Sequence, residues 1–159
     1  MTLLLDTNSV LTPAKQYYAF DICAGYWSWI VQAAAAGDVK SIAQVKRELK
    51  KKDDEIRHWI DFHATNLFLP DDRTIANSMG QVASWAGANG YTSAAVAEFL
   101  DKADAFLIAY AMQEGHSIVT LEVSAPNARH KIKIPDAANA FGINSITPFQ
   151  MLRLHGVSL

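Results

Sequence analysis

Two short apolar runs set the strongest limit on what this chain can fold into. Leu3-Leu4-Leu5 stops at Asp6-Thr7-Asn8, and Ser117-Ile118-Val119-Thr120 stops just before Glu122. Short apolar runs without alternation suit parallel strands whose two faces are both covered by helices. Between them the pattern is helical. Asp21 is placed to cap a helix carrying Tyr26, Trp27, Trp29, Ile30 and Val31, with Gly37 at its C-terminal stop. Val39–Ile42 fits either a second strand or the lead-in to the next helix. Ile42, Val45, Leu49, Ile56 and Ile60 share one stripe and predict a helix over 43–63. Further helices are expected over 75–86, 93–100 and 103–113, the last stopped by Gly115. Ile132-Lys133-Ile134 fits a third strand, and Asp136 is placed to cap a short helix ending at Gly142. Residues 143–147 predict a last strand before Pro148 opens the final helix. Such alternation is the signature of an α/β sandwich around a mainly parallel sheet.

The 159 residues, half of them hydrophobic and 19% charged, suit one domain spanning 1–159 and exclude a disordered or low-complexity chain. With a formal net charge of -2 and a pI near 6.2, any contact with nucleic acid must come from local basic patches. Cys23 is the single cysteine, so no disulfide can form within the chain, and a cytoplasmic setting is expected. No apolar run is long enough for a membrane span, and the opening residues lack the basic segment of a secretory leader.

In open α/β sheets, ligands bind just beyond the carboxyl ends of the strands. Asp6 follows the first strand directly, and Glu122 lies just past the run ending at Thr120. Asp104 sits three, four, seven and eight residues before Leu107, Ile108, Ala111 and Met112, which puts it on the inward face of its helix. An ionised carboxylate there is costly unless it is paired or bound to a metal. The competing reading is a first-turn acid favoured by the helix dipole, but Asp101 is better placed as that helix's cap. Glu48 stands at the edge of the Val45/Leu49 stripe. Its plain alternative is a surface acid paired with Lys51 or Lys52, worth ~0.2–0.5 kcal/mol. Gathered together, four such acids repel one another and require a counter-charge. Oxygen-only donors select a hard cation, Mg²⁺ or Mn²⁺. The histidines propose no zinc site, since His58 and His63 are five apart and no cysteine accompanies them.

Two basic runs lie beside the proposed acids. Lys46, Arg47, Lys50, Lys51 and Lys52 surround Glu48, with Lys51 and Lys52 on its side of the helix; Arg129, His130, Lys131 and Lys133 follow Glu122. A groove that tracks phosphates needs such charge, although both runs are also compatible with plain solvated surfaces. Trp27 and Trp29 cannot both point inward from one helix, which leaves one for a neighbouring helix or an interface with a partner. Trp85, next to the loop 87–90, offers a plane for a base or a packing group for the core.

Together these residues resemble a known family. Leu3-Leu4-Leu5-Asp6-Thr7-Asn8 resembles the opening strand and acidic motif of PIN-domain nucleases, and Glu48, the Ala103-Asp104-Ala105-Phe106-Leu107-Ile108 helix and Ile118-Val119-Thr120-Leu121-Glu122 follow in that family's order. Tyr17-Tyr18-Ala19-Phe20-Asp21-Ile22-Cys23, with Trp27 and Trp29, and Ile146-Thr147-Pro148-Phe149 look like a bacterial branch of the superfamily, which includes VapC-like proteins. The resemblance covers nearly the whole chain and implies a PIN-like three-layer α/β/α sandwich. It also implies Mg²⁺- or Mn²⁺-dependent cleavage of RNA, commonly by the toxin of a toxin–antitoxin pair, leaving 5′-phosphate and 3′-hydroxyl ends. By position, Asp6, Glu48, Asp104 and Glu122 match the metal-site acids. Thr7 or Asn8 would orient Asp6 or the attacking water, and Thr120 would support the site. The last acid is often Asp in the family and is Glu122 here. Lys51, Lys52, Arg129 and Lys131 become the RNA-binding candidates, with an antitoxin protein and a second copy of the chain (a homodimer) as partners.

Two other enzyme classes fit less well. Haloacid-dehalogenase-like phosphatases want Asp-x-Asp after the first strand, where this chain has Asn8, and a receiver domain wants an acidic pair at that strand end. A non-catalytic PIN-like module that binds RNA or protein, and a housekeeping RNA-processing nuclease, stay open as alternatives.

Overall fold

The computed structural model describes residues 2–159. Strands β1 (Leu3–Leu5), β2 (Val39–Ile42), β3 (Phe68–Leu69), β4 (Ser117–Val119) and β5 (Ser145–Ile146) form one sheet in the order β3-β2-β1-β4-β5. All of its pairings are parallel, with Leu3 opposite Val39 on one side of β1 and Leu5 opposite Val119 on the other. The central position of β1 explains its uninterrupted Leu3-Leu4-Leu5 run, in which every residue is buried. Val39–Ile42 is thereby resolved as a strand.

Helices α1 (Thr7–Thr12), α2 (Ala24–Ala36), α3 (Ala43–Lys52) and α4 (Asp54–His63) connect β1 to β2 and β2 to β3. The chain then crosses back through α5 (Ala76–Gly87), α6 (Ser93–Asp101) and α7 (Ala103–Glu114) to β4. It reaches β5 by α8 (Ile134–Ala140) and ends in α9 (Pro148–Leu154). The first two crossovers step toward one edge of the sheet and the later ones toward the other. Right-handed connections therefore place the two groups of helices on opposite faces, which yields the PIN-like α/β/α sandwich. Leu4, Ile42, Leu49, Leu107 and Ile118 belong to one contiguous buried cluster between the layers. Gly37 and Gly115 end α2 and α7 in the left-handed conformation, at φ 86° and 71°, as their positions predicted.

Four local expectations need correction. The helix expected over 43–63 is two helices, broken at Asp53 with φ -159° and ψ 130°. The Asp53 carboxylate accepts the Ile56 N–H at 2.8 Å and pairs with Lys15, so a side chain that bonds the backbone ends one helix and caps the next. Asp21 does not cap α2. The Cys23 N–H donates to Ala19 at 2.8 Å in a turn that delays the helix to Ala24 and leaves Asp21 exposed. Ile132-Lys133-Ile134 is not a strand, because Ile134 already opens α8, whose first turn accommodates Pro135, and Asp136 lies inside that turn. Asp101 is the last residue of α6 and does not cap α7. Trp27 is the inward member of its pair, its indole N–H donating to the Tyr18 carbonyl at 2.6 Å, while Trp29 is half-buried beside His155. No helix among the described residues is long and apolar enough to cross a membrane.

Asp53→Ala removes a helix cap and an ion pair that are not part of the lining of the cleft holding Asp6 and Asp104. It is expected to cost about 1 kcal/mol, most of it from the cap. The melting temperature, followed by circular dichroism, should fall by roughly 2–4 °C.

Candidate active site

The strand order reverses direction between β1 and β4, and the crevice beyond the carboxyl ends of these two strands is where an open α/β sheet places its ligands. Asp6 occupies that point. Its backbone N–H donates to Val119 at 3.1 Å, continuing the β1–β4 ladder, and its side chain turns back to cap α1. Oδ1 accepts the Ser9 N–H at 2.7 Å and Oδ2 accepts the Thr120 hydroxyl at 2.6 Å. Thr120 Oγ1 also accepts the Glu122 N–H at 3.0 Å, so one hydroxyl ties the ends of both strands to two of the acids. Ser9 donates its own hydroxyl to the Val119 carbonyl at 3.0 Å.

Glu48 reaches the same crevice from α3. Its Oε2 accepts the Thr7 hydroxyl at 2.5 Å and its Oε1 accepts the Ala103 N–H at 2.8 Å. Glu48 therefore does the work expected of Asp101: a carboxylate from another helix caps α7, where the positive end of the dipole favours it. That cap sets Asp104, in the first turn of α7, facing Asp6 and Glu122. Glu122 is held by the Ile134 N–H, which donates to Oε2 at 2.7 Å. Asp104 alone among the four has no hydrogen-bond partner among the described residues, and none of the four takes part in the ion pairs found there.

These acids line one cleft of about 240 Å³. Asn8 is exposed at its wall, and Lys51, Lys52 and Lys131 surround it together with Lys102. Lys102 escaped the sequence reading. Its position directly before the inward-facing helix was the available signal, but it reads equally as the i+4 partner of Glu98, with which it does pair. Ser9 was also missed, although an Asp three residues before a Ser at a strand end is the spacing of a helix cap. Arg129, a candidate for the same groove, is not among the residues lining it. It lies in a separate cleft with Trp85, stacked over the Tyr91 ring at 5.4 Å. A larger cleft, about 540 Å³, lies between α2 and α4, walled by Phe20, Trp27, Val31 and Trp59. Its size reflects apolar packing, whereas the converging carboxylates are in the smaller crevice.

Electrostatics distinguish the acids. Burial, with Asp6 only 2% exposed, pushes its carboxyl up to about 6 despite the bonds from Ser9 and Thr120 that favour the charged form. Burial raises Asp104 to about 7, followed by repulsion from Glu122, Asp6 and Glu48, with Lys102 opposing the rise. The crevice is short of positive charge at its floor. Among the described residues no three His, Cys, Asp or Glu side chains are grouped so as to hold a metal ion by themselves.

The parallel α/β/α sandwich, with an acidic crevice at its switch point, has a PIN-like fold. The chain belongs to the family described as Domain of unknown function (DUF4411), whose model matches residues 3–159. Its structure is similar to that of FitAcB from Neisseria gonorrhoeae, with 20% identity, 93% of this chain and 99% of that chain covered, and a TM-score of 0.59. It is also similar to FitAB bound to an IR36 DNA fragment, at 19% identity with 93% and 96% covered and a TM-score of 0.56. At such identities the likeness is one of fold. No curated protein matches the chain.

Because the folded-state values of Asp6 and Asp104 lie above the usual value of 3.8, the native state holds more protons than the unfolded chain between about pH 4 and 7. Their stabilising contribution is complete below pH 4 and is lost as pH rises through the folded values. In EDTA, Asp104→Asn should therefore melt several degrees above the parent at pH 8 and level with it near pH 4. Thermal melts across that range check the sign.

Proposed function

We propose that this chain is a metal-dependent endoribonuclease, hydrolysing RNA phosphodiester bonds with water activated by Mg²⁺ or Mn²⁺, and that it serves as the toxin of a toxin–antitoxin pair. The single observation that carries the reading is the meeting of Asp6, Glu48, Asp104 and Glu122, from four separate segments, in one lysine-rimmed cleft without an ion pair among them. The donor chemistry fits a hard cation. The four carboxylates supply hard oxygen donors, and burial together with mutual repulsion raises Asp6 and Asp104, a cost that a bound cation would offset. Mg²⁺ is commonly held by one or two carboxylates and keeps several waters, so it does not require a closed protein cage.

Asp6 and Asp104 are the primary ligands in this reading. Asp6 is preset by Ser9 and Thr120, and Asp104 brings oxygens with no hydrogen-bond partner among the described residues. Glu48 and Glu122 extend the site while anchoring α7 and α8 through Ala103 and Ile134. A bound ion supplies a more acidic water and offsets charge on the phosphoryl oxygens. Exposed Asn8 is placed to orient that water or the substrate. Lys51, Lys52, Lys102 and Lys131 bind the flanking phosphates and counter the repulsion between an acidic floor and a polyanion.

One observation favours the non-catalytic alternative, an RNA- or protein-binding module. Both oxygens of Glu48 are committed within the protein, as a purely structural acid's would be. Millimolar Mn²⁺ separates the two readings: an ion that binds only the folded state raises the melting temperature. A clear rise that Asp104→Asn abolishes is expected, and an unchanged melt would favour the module. In a cleavage assay, Asp104→Asn should lose at least ~10²-fold in rate, the scale of removing a key electrostatic contributor. Induction in cells should arrest growth, and Asp6→Ala should relieve the arrest. Cleavage in vitro without arrest would point to a housekeeping processing nuclease. Replacing Lys51 and Lys52 together should flatten the salt dependence of single-stranded RNA binding by about 1.4 in log–log slope.

A further inference from the structure

A second cleft, about 190 Å³, has no part in the chemistry above. Both clefts are bounded by the connection between β4 and α8. Glu122 and Lys131 line the first, and Arg129 lines the second. Arg129 and Lys131 are two residues apart, so their Cα atoms lie within roughly 7 Å of each other while their side chains enter different clefts.

The lining is suited to a flat, neutral, hydrogen-bonding ligand. The Trp85 indole is half-buried and fixed by Tyr91, Phe99 and Phe141 at ring distances of 5.7, 6.4 and 5.9 Å. The guanidinium of Arg129 is also fixed: Nη1 donates to the Pro126 and Ala128 carbonyls, both at 2.8 Å, and its plane stands over Tyr91. Its other nitrogens have no hydrogen-bond acceptor among the described residues. Asn89 commits only its amide nitrogen, to the Trp85 carbonyl at 2.6 Å, and the exposed amide of Asn139 has no partner among the described residues. Both donors and acceptors are therefore open at the mouth. Asp136, whose oxygens accept the Ser124 hydroxyl and the Ala125 N–H, puts a negative charge in the wall that opposes a phosphate lying deep in the cleft. Unstacked bases are recognised by such a set, with aromatic or guanidinium planes for the faces and amides for the edges.

We infer that the cleft of Trp85, Arg129 and Asn139 is a subsite for one unstacked base of single-stranded RNA. The choice of RNA rests on the nuclease reading, whereas the choice of a base over a phosphate rests on the cleft alone. The test uses the full ¹⁵N-labelled chain in EDTA, where no cleavage intervenes, titrated with AMP, UMP and ribose 5-phosphate. The Asn89 and Asn139 side-chain amides and the Trp85 indole N–H should shift with the nucleotides and not with ribose 5-phosphate. Asn139→Ala, at an exposed helix position, should weaken binding of octameric oligo(A) or oligo(U) about tenfold, the scale of losing one recognised base. Trp85→Phe, which keeps the ring packing, should weaken it in the same direction. Equal shifts with ribose 5-phosphate, or both variants binding the octamers like the parent, would overturn the inference and leave the cleavage reading standing. Base-dependent shifts in a protein that never cleaves RNA would uphold the subsite while the nuclease reading fails.

Discussion

The hydrogen bond from the Thr120 hydroxyl to the buried Asp6 carboxylate holds this molecule's centre together. A carboxylate at 2% exposure is tolerable only with partners, and Asp6 finds them in the Ser9 N–H and in Thr120. The bond is available because β1 and β4 lie side by side in register, which brings the residue after Leu5 to the residue after Val119. The same junction starts α1 through the Asp6 cap and fixes the Glu122 backbone through Thr120. Sheet topology, helix initiation and the acidic crevice all meet in this one contact.

Glu48 plays the matching part between the helices. It bonds Thr7 at the start of α1 and caps α7 at Ala103, so α1, α3 and α7 are tied through a single carboxylate. A group used this way is structural and electrostatic at once: it steadies the helix that carries Asp104 and helps to raise the Asp104 pKa. The lysines around the cleft offset this concentration of acid at the rim but do not pair with it, which leaves an unneutralised floor beneath a positive edge. A net charge of -2 over the whole chain conceals this local separation.

Sequence patterns were most informative where local physics is decisive. The β1 and β4 runs, the glycine stops at Gly37 and Gly115 and the Pro148 start depend on strand burial or backbone conformation within a few residues. All of them occur as expected. Patterns misled where two local preferences competed. The apolar stripe of 43–63 continues across Asp53, because α3 and α4 both bury their faces in the same core, so periodicity could not reveal the break. Ile132 and Ile134 are buried, as strand residues would be, yet they flank the start of a helix.

For the crevice, the spacing of Asp104 from Leu107 and Ile108 already placed one carboxylate inward, and the strand-end positions marked Asp6 and Glu122, because period and burial are properties of the chain itself. Which groups share a cleft is a different matter. Lys102 joins it and Arg129 does not, although both stand near an acid in the chain, because the connection between β4 and α8 turns Arg129 onto Tyr91. Asp101 gave way to Glu48 as the cap of α7 for the same reason: a partner 55 residues away is brought close only when the layers pack. Local sequence determined the central strands, the glycine and proline helix boundaries and the inward face of Asp104, and long-range packing decided which side chains meet.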